Sequence, residues 1–167
     1  TIVGDTNLTV TAGSGTITVV ATKAQDDRYF ARSATATVSC VKADQSVADF
    51  LPTDGSAFVA TDAVGLSASA GSGLAVTFAV ESGPGTIASG TNLTFTGTGT
   101  VSVVASQAGD ANWNGAASVT NTYTVAKAAA TVFLGSLAQT YDGTARTVTA
   151  TTMPAGLTVE FTYDGTA

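Results

Sequence analysis

The chain of 167 residues contains no histidine, one cysteine, three prolines, one tryptophan and six basic residues. Without histidine the usual general base near neutral pH is missing. Cys40 has no partner for a disulfide within the chain and no histidine with which to build a metal cluster. Six Lys and Arg against twelve Asp and Glu leave a net charge of −6. Phosphate binding needs clustered cations, so neither nucleic acid nor an anionic membrane is expected as a partner. No apolar run approaches the ~18 residues of a membrane span, and no signal-peptide pattern opens the chain. The only glutamates are Glu81 and Glu160, while Asp26 and Asp27 are neighbours in one polar stretch. Acid–base catalysis by carboxylates needs two that face each other across a cleft, and none of these is so placed. We expect no enzyme and no cofactor.

What remains is apolar and small. Hydrophobic residues make up 44% of the chain and charged residues 11%, with 18 glycines. Threonine and alanine together supply roughly a third. That composition can build a core and does not suit a disordered chain. The length leaves room for one to three small domains.

The chain repeats itself. Thr6-Asn7-Leu8-Thr9 recurs at 91–94, a shift of 85. One residue is lost in the following Gly-rich turn, so Gly15-Thr16-Ile17-Thr18-Val19 falls on Gly99-Thr100-Val101-Ser102-Val103. The register then returns, and Val38, Cys40 and Lys42 meet Tyr123, Val125 and Lys127. More loosely, Gly73-Leu74-Ala75-Val76-Thr77-Phe78 recurs as Gly156-Leu157-Thr158-Val159-Glu160-Phe161. A period of this length suits whole domains in series, not a solenoid.

Period-2 alternation predicts strands: Val76, Phe78 and Val80 on one face, then Leu93 and Phe95, then Val101, Val103 and Ala105. Val119, Asn121, Tyr123 and Val125 alternate with Thr120, Thr122 and Thr124 in the same way. No stretch carries a helical period. The expected fold is all-β: tandem antiparallel sandwiches of immunoglobulin type, truncated at both ends. Residues 1–42 would be the C-terminal half of one module, 43–127 a complete module, and 128–167 the N-terminal half of another. Halves of this kind would leave strand edges open to association between chains.

The stretch from Leu74 to Ala128 resembles bacterial immunoglobulin-like repeats of long surface proteins. Residues 130–167 resemble the start of an MBG-type domain, through Thr140-Tyr141-Asp142-Gly143-Thr144-Ala145 and Pro154-Ala155-Gly156-Leu157-Thr158-Val159. The resemblance implies an extracellular or cell-surface array on a secreted or surface-anchored bacterial protein. It supplies no catalytic residues.

Residues 109–115, GDANWNG, offer the one motif that points to a ligand. Asp110, Asn112 and Asn114 ahead of Gly115 follow the order of a calcium loop. At a shift of 84 the same places hold Asp26, Arg28 and Phe30, and neither of the last two can ligate calcium. Asn121 stands where the bidentate glutamate should be. What persists is an acid with an aromatic: Asp26 with Tyr29, Asp110 with Trp113. We read these four as structural anchors, an Asx-type turn whose ring packs over the sandwich edge, and expect no metal. Cys40 should sit inward as a small hydrophobe. The sequons at Asn7 and Asn92 mark the start of a strand. Gly13-Ser14-Gly15 and Gly97-Thr98-Gly99 read as hairpin turns. Asp142 and Asp164 read as turn residues ahead of Gly143 and Gly165. Lys42 and Lys127 lie at module junctions, where an isopeptide crosslink to asparagine has little support.

The leading functional expectation is a non-catalytic stalk. The junctions Val41-Lys42-Ala43-Asp44 and Ala126-Lys127-Ala128-Ala129 leave little free chain between modules, so neighbouring modules are the expected partners. The alternatives are an adhesion module for a cell-surface glycan or protein, and an accessory repeat of a large secreted hydrolase.

Overall fold

The structure is a computed structural model and describes residues 2–3 and 7–163. It is all-β, with no helix among the described residues. The chain divides into two compact units, Thr1–Ala126 and Lys127–Ala167.

The first unit opens with two short antiparallel strands, β1 (Ile2–Val3) and β2 (Asn7–Leu8). A long hairpin follows, β3 (Gly15–Lys23) with β4 (Arg32–Cys40), in register from Gly15 opposite Cys40 to Lys23 opposite Arg32. Ile17, Val19 and Cys40 are half-buried, while Val20 and Val38 are exposed.

Nine further strands form two layers. One layer contains β6 (Ala57–Val59), β9 (Thr77–Ser82), β12 (Gly99–Ser106) and β13 (Val119–Ala126), in the order β6-β13-β12-β9. Within it β6 runs parallel to β13 and the other pairs are antiparallel. The other layer joins β10 (Gly85–Ala88), β11 (Asn92–Phe95) and β7 (Ala63–Gly65) to the pair β5 (Val47–Leu51) and β8 (Ser67–Ala70). Only the buried Leu66 separates β7 from β8, so one continuous stretch borders both parts.

Alternation puts the apolar faces of both layers inward. Val101, Val103 and Ala105 from β12 and Tyr123 and Val125 from β13 meet Leu93, Phe95, Val47 and Phe50. Leu93, Val101, Val103 and Tyr123 are fully buried. Phe58 stacks on Phe95 with ring centroids 5.5 Å apart and meets Tyr123 edge-on at 5.6 Å. Such pairs add to the area term of burial. Two polar side chains share this interior and both find partners. Asn121 donates to the carbonyls of Phe50 (3.2 Å) and Pro52 (2.8 Å), and the Tyr123 hydroxyl donates to Pro52 (3.0 Å). A buried amide without such partners would cost more than it gains. Burial is the main cause that pushes the Tyr123 phenol above its ordinary range, with Asp54 adding to it.

The chain passes from β2 to β3 through Gly13-Ser14-Gly15 and from β11 to β12 through Gly97-Thr98-Gly99. The strands on either side belong to different sheets in both cases, so these are corners and not the expected hairpin turns. A corner of this kind lets successive strands face each other across the core instead of pairing.

In the second unit β14 (Thr131–Gly135) pairs antiparallel with β15 (Thr149–Met153). Between them Asp142 Oδ1 accepts from the Thr144 amide (3.1 Å) and hydroxyl (2.6 Å), as a turn residue ahead of Gly143 should. These bonds, the hydroxyl first, hold the Asp142 carboxyl below its usual range. Its counterpart turn at Asp164 and Gly165 lies outside the described residues.

Candidate functional site: the Asp110 loop and the segments it grips

Strand β12 ends at Ser106 and β13 begins at Val119, so twelve residues must turn the chain back. Asp110 organises the first half of that turn. Its Oδ1 accepts from the amides of Asn112 (2.8 Å) and Trp113 (2.9 Å), and its own amide donates to the Trp113 carbonyl (3.1 Å). A short carboxylate can close such a turn on its own backbone. Asp26 makes the same three bonds, to Arg28 (2.9 Å), Tyr29 (2.8 Å) and the Tyr29 carbonyl (3.0 Å). Lys23, whose Nζ lies 2.6 Å from Asp26 Oδ2, is the first cause that holds the Asp26 carboxyl below its usual range.

Closing the turn aims its outer backbone at Ala43. The Ala43 amide donates to the Asn112 carbonyl (2.9 Å), and the Asn114 amide donates to the Ala43 carbonyl (2.8 Å). Ala43 and Trp113 thus form an isolated parallel bridge. Side chains reinforce it. Asn114 donates to Asp44 at 2.8 Å, and Gln45 Nε2 donates to Gln107 Oε1 (2.6 Å) and the Asn114 carbonyl (2.7 Å). The loop also reaches into residues 1–42. Asn112 Oδ1 accepts from the Gly13 amide at 2.9 Å, and Lys42 Nζ donates to the Asp110 carbonyl at 2.6 Å. Gly13 is buried there, and a Cβ on it would lie 2.5 Å from Asn112 Cα. Only glycine permits that approach.

The three oxygen-bearing residues of the calcium pattern therefore face three different partners. Asp110 holds its own turn, Asn112 takes the Gly13 amide, and the Asn114 side chain donates to Asp44. We expect the thermal midpoint of the chain to be the same in millimolar calcium and in chelator. A clear upward shift with calcium would restore these residues as ligands.

The aromatic anchors sit differently from the sequence expectation. Trp113 is half-buried and stands outside the interior cluster of the sandwich. It lines a groove of about 290 Å³ with Val10, Gly13, Val41, Ala43 and Asn112. The loop lies beyond the end of β12, where its groove neighbours Val10, Val41 and Ala43 are exposed and only Gly13 is buried. Tyr29 is 64% exposed, and its ring lies under Lys23 Nζ at 5.4 Å from the centroid instead of over a sheet edge. For a half-buried ring, Trp113→Ala should cost about 1–2 kcal/mol, part of the value for full burial. Native-state amide exchange should assign that loss to Ala43 and Asn114. Loss spread evenly through β12 and β13 would instead make Trp113 a core residue.

Residue-level pattern found the Asp turns but missed Gly13, Gln45 and Gln107. Only the shared position of Gly13 and Gly97 in the repeat hinted at the first of these.

The second unit carries a family signature. Residues 130–167 match the MBG domain. The β14–β15 hairpin and the Asp142 turn both fall within this MBG segment. No curated protein matches the chain, and no solved structure does.

Proposed function

We propose that this chain is a non-catalytic stalk segment of a bacterial surface or secreted protein, built of immunoglobulin-like modules in series that space or present other domains. The observation that carries the reading is the grip of the Asp110 loop on Gly13 and on residues 42–45. Two flexible modules joined by a short linker would need no such contact. Here the linker itself is hydrogen-bonded to the loop of the following module, which suits a semi-rigid junction. The matched MBG segment supports the same reading, since by resemblance such domains stand in series in long surface proteins. Backbone ¹⁵N relaxation tests it: residues 7–42 and 43–126 should share one rotational correlation time. Independent tumbling of the two would sink the stalk reading.

A second reading rests on the groove beside Trp113. A half-buried indole next to Asn112 and Thr11 could seat a sugar or a peptide, which would make the segment an adhesion module. Broadening of the Trp113 side-chain resonance on addition of a glycan library would favour it.

A further inference from the structure

We propose that Asn114 is a site of spontaneous deamidation: the Gly115 backbone nitrogen converts its side-chain amide to a carboxylate, the grip on residues 43–45 holds that reaction back, and the product no longer fits the grip. The inference goes beyond the stalk reading and stands on the contacts of the loop alone.

The chain has five asparagines, and only Asn114 is followed by glycine. Deamidation is an attack by the next residue's backbone nitrogen on the asparagine Cγ. A side chain on that next residue hinders closure of the ring, and glycine has none. The state of the nitrogen matters as well. The amides of Trp113 and Thr122, which follow Asn112 and Asn121, donate to Asp110 (2.9 Å) and Asp54 (2.7 Å). Leu8 and Leu93, which follow Asn7 and Asn92, lie within paired strands. The Gly115 amide stands between two bonded neighbours, Asn114 on the Ala43 carbonyl and Ala116 on the Gln107 carbonyl (2.9 Å). It donates to none of the described residues itself. Asn114 and Gly115 are both exposed, so water reaches them.

The reaction needs water alone as co-reactant. As the bond from the Gly115 nitrogen to Cγ forms, the Cγ–Nδ2 bond breaks, and the nitrogen's proton leaves with Nδ2 as ammonia. The five-membered imide that results is opened by water. Opening at Cγ gives aspartate. Opening at the main-chain carbonyl of residue 114 gives isoaspartate, in which the chain runs through Cβ and Cγ.

The grip opposes the first step. The Asn114 side chain donates to Asp44 at 2.8 Å, and its carbonyl accepts from Gln45 at 2.7 Å. Those bonds restrict the rotation that brings Cγ onto the Gly115 nitrogen. Either product then spoils the grip. Aspartate sets a carboxylate against the Asp44 carboxylate, where the amide had donated, and like charges so close repel. Isoaspartate adds a backbone carbon between the bond to Ala43 and the bond to Gln107. Loss of ammonia makes the change one-way. A loop that opens often loses its hold on the linker for good, and one that stays closed keeps it.

The full chain is incubated at mildly alkaline pH, digested, and each asparagine scored by mass spectrometry. Conversion should be confined to Asn114. Asp44→Ala should speed it about fivefold, the equilibrium factor of one hydrogen bond. Gly115→Ala should suppress it, with folding checked by circular dichroism, since the added Cβ would lie 3.2 Å from the Ala108 carbonyl oxygen and needs only a small shift. Asn114→Asp stands in for the product and should speed amide exchange at Ala43 by a similar factor. Adding Asp44→Asn returns a donor to the pair and should restore protection. Conversion at Asn112 as fast as at Asn114 would overturn the proposal, as would a rate in Asp44→Ala no higher than in the wild type. So would Asn114→Asp chains whose Ala43 amide exchanges like the wild type. The stalk reading fails separately, by independent tumbling in the relaxation experiment, and that result would leave these rates as they are.

Discussion

Gly13→Val should release residues 1–42 from the Asp110 loop and leave the 43–126 sandwich folded. The three atoms nearest to a Cβ at this site are Asn112 Cα at 2.5 Å, Asn112 O at 2.8 Å and Ala111 O at 2.9 Å. All belong to backbone, so no side chain can rotate aside. Overpacking of this kind costs about 1–3 kcal/mol, and more where backbone must move. Loss of the Gly13–Asn112 hydrogen bond adds about 1 kcal/mol. Amide exchange at Ala43 and Asn114 should speed up at least about tenfold, the factor that 1.4 kcal/mol sets. Exchange at Val101 and Val103 should not change. Gly97→Val is the matched control and should leave both sets of amides as they were. Unchanged protection at Ala43 in the Gly13 variant would show that the loop can slide off the corner without letting go of the linker.

The largest loss of stability is expected from Tyr123→Ala, about 3–5 kcal/mol, the range for a fully buried aromatic. Its ring is inaccessible to solvent, meets Phe58 edge-on and ties β13 to the Pro52 carbonyl. Tyr123→Phe separates the two contributions. It keeps the ring and removes the hydroxyl, and should cost about 1 kcal/mol. Urea midpoints for both variants, with the wild-type slope, make the comparison. If Phe costs as much as Ala, the bond to Pro52 and not the ring holds the sandwich closed.

The all-β fold was legible because strands declare themselves locally. Val101, Val103 and Ala105 alternate with Thr100, Ser102 and Val104, and each of the three is fully buried. The same rule placed Asn121 inward beside Tyr123, although an amide in a core is unusual. The rule could not say why it is tolerated there. Its two acceptors, the carbonyls of Phe50 and Pro52, lie 71 and 69 residues away in sequence. The junction was illegible for the same reason. Asn112 meets Gly13 across 99 residues, and no pattern within a loop announces such a partner. Comparing the chain with itself found the Asp turns, since a carboxylate that caps its own backbone is a local device. It misjudged the rings, because where Trp113 and Tyr29 point depends on what stands beyond the end of the sheet. Gly97 and Gly13 looked alike in sequence, yet a Cβ at Gly13 would strike the Asn112 backbone while one at Gly97 would meet Pro84 at an ordinary distance.

The parallel pairing of β6 with β13 has a mechanical consequence. Ala57, Phe58 and Val59 lie opposite Thr124, Val125 and Ala126, flanked by bonds from Thr124 to the Ser56 carbonyl (3.1 Å) and from Ala60 to the Ala126 carbonyl (2.9 Å). A pull on the two ends of the 43–126 sandwich reaches this ladder at the start of β6 and at the finish of β13. In parallel strands those two points lie at opposite ends of the ladder. The force therefore runs along the strands and loads the bonds in shear, all at once. In an antiparallel pair joined by a turn it would open them one after another like a zip. The shortest strand of the sheet is thus placed where a tensile load along the chain meets the most bonds together.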